Sequence, residues 1–203
     1  MSTPLDGMHI AIVATNMFEE SELTEPKTAL ESAGARVDIL APEGPDIQAA
    51  RHFDKGDFYE VDYLLGEVDS IEYDALLLPG GALSADALRV DRTAQDFVRE
   101  FDADNKPIAV ICHGGWLLVS AGLVKGRTMT SYKTIADDIR NAGGTWVDKA
   151  VVRDENWISS RQPDDIPEFN EEMIKLFSES MKAKHGTPRE ATELSFRERL
   201  DRP

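Results

Sequence analysis

The sequence predicts an α/β protein, a three-layer α/β/α sandwich around a mainly parallel sheet. Short apolar runs of strand length recur along the chain, rich in Ile, Val, Leu and Ala. Amphipathic stretches of helical period alternate with them, and the connections are mostly short. A chain of 203 residues with 41% hydrophobic content is large enough for one well-covered core.

The run 8–14, Met-His-Ile-Ala-Ile-Val-Ala, has the length and β-branching of a buried strand. A helix is expected over 21–31, ending near Gly34. Pro26 inside it means either a kink or a regular helix that starts only near Thr24. The run 36–40 then reads as a second strand, closing a βαβ unit. Residues 42–72 are acidic and irregular, with a short hairpin around 58–61. A third strand, 73–78, is stopped by Pro79-Gly80-Gly81, and a helix follows over 92–103. The fourth strand, 107–111, runs directly into Cys112. Helices are expected over 116–121, stopped near Gly122, and over 135–142. The segment 145–160 reads as a hairpin turning at 154–156, and a last helix covers 166–183. One domain therefore spans 1–184. The charged, proline-punctuated residues 185–203 read as an appendage, mobile or docked on a neighbour.

Composition narrows the function. Lys and Arg number 22 against 38 Asp and Glu, a formal charge of −16. That balance argues against nucleic acid, whose binding needs clustered cations, and against an anionic membrane surface. The single cysteine excludes an intrachain disulfide framework and a multi-cysteine metal site. The start of the chain lacks a signal-peptide pattern, and no run approaches the ~20 apolar residues of a membrane span. A cytoplasmic protein is expected. The four histidines show no ligand spacing, and no phosphate loop or dinucleotide fingerprint appears, so no metal and no cofactor are expected.

Chemistry converges on strand ends. Cys112 closes an apolar strand and is followed at once by small residues opening a helix, the pattern of a nucleophile elbow. The helix start is expected to favour a thiolate and lower the thiol pKa. The bland alternative is a buried cysteine acting as a small hydrophobe. His113 is positioned to stabilise the thiolate or to serve as base and acid, provided the turn brings neighbouring side chains together. Glu19 and Glu22, three apart, fall at the same sheet edge. One of them could hydrogen-bond the sulfur, although acidic residues at a helix start also merely complement its dipole. Gly80 and Gly81 permit a sharp turn that aims N–H groups into the crevice.

These stretches resemble the ThiJ/PfpI family: Phe18-Glu19-Glu20-Ser21-Glu22-Leu23, Leu77-Leu78-Pro79-Gly80-Gly81, Ala109-Val110-Ile111-Cys112-His113-Gly114, Leu117-Leu118-Val119-Ser120-Ala121-Gly122 and Trp157-Ile158-Ser159-Ser160-Arg161, in the family's order. The resemblance covers about 8–177. It implies a flavodoxin-like sandwich, at least a dimer, a nucleophile at Cys112 partnered by His113, and a cysteine-contacting carboxyl at Glu22. Glu19 is a second acid of that motif. In the protease-like branch a third acid comes from a neighbouring subunit, and Asp86 is its best match, in a slightly longer loop. Tyr132 resembles a pocket tyrosine, and Gly114 with Gly115 stands where many relatives carry Gly-Pro.

The function implied is a cysteine-dependent hydrolase or lyase for activated carbonyls, with a small carbonyl compound or a peptide as substrate. Family activities include peptidase, glyoxalase and deglycase reactions. Two other readings compete: a redox-sensing stress protein or holdase using an oxidisable thiolate, and an interaction protein with a vestigial site.

Overall fold

The computed structural model describes residues 3–186. In chain order the elements are β1 (His9–Val13), β2 (Phe18–Glu19), α1 (Glu20–Ser32), β3 (Arg36–Ala41), β4 (Asp46–Arg51) and β5 (Asp54–Glu60). They continue with β6 (Tyr63–Leu64), β7 (Ala75–Leu78), α2 (Ala82–Leu88), α3 (Arg92–Ala103), β8 (Ile108–Ile111) and α4 (Gly115–Ser120). The last are β9 (Thr128–Met129), α5 (Ala136–Asn141), β10 (Thr145–Trp146), β11 (Val151–Asp154), β12 (Trp157–Ser160) and α6 (Ile166–Gly186).

The main sheet runs β11-β12-β8-β7-β1-β3-β6, parallel throughout except for the β11–β12 pair. Taken by order of appearance, the five central parallel strands read 2-1-3-4-5, the flavodoxin-like winding. Alternation along these strands builds a core on each face. Ile10, Ile12, Leu77 and Ile111 pack with α1 and with Phe169, Met173 and Phe177 of α6. On the other face, Val13, Leu76, Leu78 and Val110 pack with Phe97, Val98 and Phe101 of α3 and with Leu117 and Leu118 of α4. The sandwich is thus three-layered, as the sequence predicts. Among the described residues, no helix is long and apolar enough to cross a membrane.

Several local expectations change. Helix α1 starts at Glu20 and runs through Pro26, which has no N–H to donate to the Glu22 carbonyl one turn earlier. Helix α2, directly after Gly81, was not foreseen: no side chain caps its start. The acidic segment holds a larger hairpin than expected. Strand β4 pairs antiparallel with β5 around His52 and Phe53, so residues 58–60 lie in its second strand. Strand β4 also pairs with β2, forming a separate three-stranded sheet. At the other end, the β11–β12 hairpin turns through Glu155 and Asn156, whereas β10 pairs in parallel with β9. The appendage expected beyond the last helix falls, from residue 187 on, outside the described residues.

The α3 core sets a stability test. Phe101 has no exposed surface, so Phe101→Ala should lower the unfolding free energy by about 3–5 kcal/mol through lost burial and a cavity. Urea titration followed by circular dichroism reads this directly.

Candidate functional site

The strand order reverses between β1 and β7, and the candidate residues gather at the carboxyl ends of β1, β7 and β8, where such sheets open a crevice. Strand β8 delivers Cys112 into a short 3-10 turn, Cys112–Gly114, that leads into α4. Cys112 has φ +60°, a left-handed conformation that costs a non-glycine residue about 1–3 kcal/mol. The Tyr132 N–H donates to its carbonyl at 3.2 Å. The elbow packs tightly because residue 114 is glycine: a Cβ there would lie 2.6 Å from the Leu78 carbonyl oxygen and 2.8 Å from that of Pro79. Gly114 therefore acts in packing and does not line the cavity described below.

The bend turns adjacent side chains toward each other. Cys112 Sγ lies 3.2 Å from His113 Nδ1, and His113 Nε2 lies 3.1 Å from Thr134 Oγ1. The imidazole is flanked by the rings of Tyr132 and Trp116, with centroids 4.9 and 5.3 Å away. Burial holds its pKa below the usual histidine value, which favours the neutral base at pH 7.

Glu22 enters from α1 and is completely buried. Its Oε2 accepts the Gly80 N–H at 2.9 Å, while its buried Oε1 has no hydrogen-bond partner. Burial pushes this carboxyl up to about 8, opposed by hydrogen bonding with the Cys112 thiol, reinforced by the charge of Glu19 and opposed by the Gly80 N–H. Burial likewise pushes the Cys112 thiol up; the Glu22 carboxylate adds to this, while the backbone N–H groups of His113 and Gly81 oppose it. The expected lowering of the thiol pKa is therefore corrected. A six-residue helix entered through a 3-10 turn does not outweigh removal from water beside a carboxyl.

Glu19 lies apart from that pair. It closes β2, and its Oε2 accepts the N–H of His52 at 3.1 Å, tying down the tip of the β4–β5 hairpin. Gly81 makes this approach possible. It has φ +93°, and a Cβ would lie 2.5 Å from the Glu19 nitrogen and 2.6 Å from the Met17 oxygen. Asp86 is exposed on α2 and does not line the cavity.

The cavity above Cys112 has a volume of about 800 Å³ and takes in Glu19, Glu22, Gly81, His113 and Tyr132. Sequence reasoning missed many of its residues, among them Thr134, His52, Phe53 and Asp164. Of these, Thr134 lies nearest to a candidate in the chain, two positions beyond Tyr132. Phe53 is fully exposed at its hairpin tip. A second cavity, of about 690 Å³, lies at the opposite sheet edge around Lys106 and Asn156, where the Lys106 ammonium donates to the Ser70 carbonyl.

Comparison with known proteins identifies the chain's relatives. The model of the DJ-1/PfpI family matches residues 8–176. Deglycase PfpI of Pyrococcus furiosus is 40% identical over 83% of this chain and 99% of its own length. General stress protein 18 of Bacillus subtilis is 41% identical over 84% and 98%. The crystal structure of Drosophila melanogaster DJ-1beta superposes with a TM-score of 0.76 at 26% identity, covering 87% of this chain and 96% of that one. The matched segment contains the elbow, the glycine turn and the glutamates that precede α1 and lie in its first turn, so this chain belongs to the DJ-1/PfpI family.

Proposed function

We propose that this protein is a cysteine-dependent hydrolase or lyase acting on activated carbonyl compounds, with 2-oxoaldehydes and their adducts ahead of peptides as substrates. The observation that carries the reading is the 3.2 Å approach of Cys112 Sγ to a neutral His113 Nδ1, beside a carboxyl held protonated. The name of the Pyrococcus relative, a deglycase, supports the small-carbonyl side.

The chemistry follows from the charges. A buried thiol with a raised pKa is not ionised in advance, so it needs a base at the moment of attack. Sγ bonds to the carbonyl carbon, the C=O π pair moves onto oxygen, and the thiol proton passes to His113 Nδ1. Returning that proton to the oxygen completes a hemithioacetal. The N–H groups of Gly81 and His113, which approach the sulfur, are the donors for the developing oxyanion. Neutral Glu22 adds no second negative charge. Asp86 is read as serving the cavity of a second copy, as the resemblance implies, and its exposure supports that reading.

A redox-sensing role is the second reading, favoured by the stress-protein name of the Bacillus relative. Mild peroxide followed by mass spectrometry should then add oxygen to Cys112, and an unmodified thiol would reject it.

Cys112→Ala should abolish consumption of methylglyoxal, and His113→Ala should slow it about 10²–10⁴-fold, the usual worth of general acid–base catalysis. A Cys112→Ala protein as active as the parent overturns the mechanism. The pH profile of kcat/KM should fall on the acid side as His113 gains a proton, and on the alkaline side near pH 8 as Glu22 loses one. Glu22→Gln should remove the alkaline limb only. The sign for stability is also set. Folded Glu22 holds its proton from about 4.5 up to about 8, so the unfolded state binds fewer protons across that window and stability declines as pH rises through it. Urea titrations at pH 5 and pH 8 should show a smaller decline for Glu22→Gln.

A further inference from the structure

The charges that line the Cys112 cavity bear on which carbonyl compounds can enter it. Among the described residues, the ionisable ones that line it are Glu19, Glu22, His52, Cys112, His113, Tyr132 and Asp164, with no lysine or arginine. Burial keeps Glu22 and His113 neutral near pH 7. Two further acidic side chains line the cavity, Glu19, with a side chain only 14% exposed, and the exposed Asp164. His52 Nδ1 lies 3.8 Å from Glu19 Oε2. Fixed charges of one sign over a partly desolvated cavity alter the local concentration of charged reactants by one or more orders of magnitude.

We propose that Glu19 and Asp164 act as a charge filter on the Cys112 cavity, admitting neutral or cationic carbonyl compounds and rejecting carboxylate-bearing ones. This rests on the proposed function and narrows it. A neutral 2-oxoaldehyde, or a carbonyl adduct on a cationic side chain, fits the cavity, whereas a 2-oxoacid meets two like charges. Glu19 and Asp164 are specificity-determining residues here and touch no reacting atom.

The thiol itself reports the filter without any turnover. The full-length protein is treated at pH 7.5 with two methanethiosulfonates that differ in charge, the 2-aminoethyl cation and the 2-sulfonatoethyl anion. Mixed-disulfide formation at Cys112 is followed by mass spectrometry. The cation-to-anion rate ratio should exceed that of 2-mercaptoethanol by about tenfold or more and shrink in 1 M NaCl. Asp164→Asn and Glu19→Gln should each reduce it by about two- to threefold, and the double variant further, whereas Glu67→Gln, at an exposed position that does not line the cavity, should not. Each single substitution changes the global charge of −16 by the same one unit, so only a local filter separates them. A ratio equal to that of the free thiol, a ratio unmoved by both substitutions, or a sulfur inert to both reagents overturns the proposal. In parallel, methylglyoxal should be consumed at least tenfold faster than glyoxylate. A clear reagent bias with neither carbonyl consumed supports the filter and overturns the enzymatic reading.

Discussion

One buried spot holds two groups that can each become an anion, and it tolerates a single negative charge. Glu22 and Cys112 are both withdrawn from water, which raises each of them; the carboxylate pushes the thiol further up, while the hydrogen bond with the thiol pulls the carboxyl down. Their competition sets the chemistry around them. The carboxyl keeps its proton, the thiol keeps its own until it attacks, and the proton acceptor must be a third group. His113 is that group, neutral because it too is half withdrawn from solvent. Burial, rather than a helix end, is the organising force of this site.

The pair meets only because three chain segments converge closely at the edge of the sheet. Helix α1 carries Glu22 inward, the β7 turn supplies the Gly80 N–H, and the β8 elbow presents the sulfur. The small three-stranded sheet is bound to the same helix. Glu20 receives Arg51, the Tyr59 hydroxyl and the Asp57 N–H, and Arg51 also pairs with Asp57. Together with Glu19 on His52, these contacts make the start of α1 a common anchor for the buried carboxyl and for the hairpin that walls the cavity. Exposed ion pairs of this kind contribute little singly, and their value here is geometric.

The large features were legible because their signals are strong. Four apolar runs became the strands at the centre of the sheet, and the lone cysteine at the end of one of them marked the elbow. The order of the motifs was enough to imply the family. The polar hairpin was read poorly because β5, Asp-Lys-Gly-Asp-Phe-Tyr-Glu, is exposed along most of both faces and shows no clean alternation. Helix α2 lacks a capping residue, and its Gly81 start looks like a simple turn. The thiol shift runs opposite to the sequence expectation for a physical reason. Local sequence shows a helix beginning, but desolvation depends on what the rest of the fold stacks above the sulfur. Thr134, His52, Phe53 and Asp164 reach the cavity from segments far from Cys112 in the chain, and no spacing rule connects them.

The left-handed backbone at residue 112 has an implication for how this molecule responds to selection. Glycine, or to a lesser degree asparagine, would relax that bend. A search for heat tolerance that ignored reactivity would therefore drift toward losing the sulfur altogether. That a thiol persists there means the chain carries a standing thermodynamic handicap, and inert descendants are expected to outlast their parent on heating.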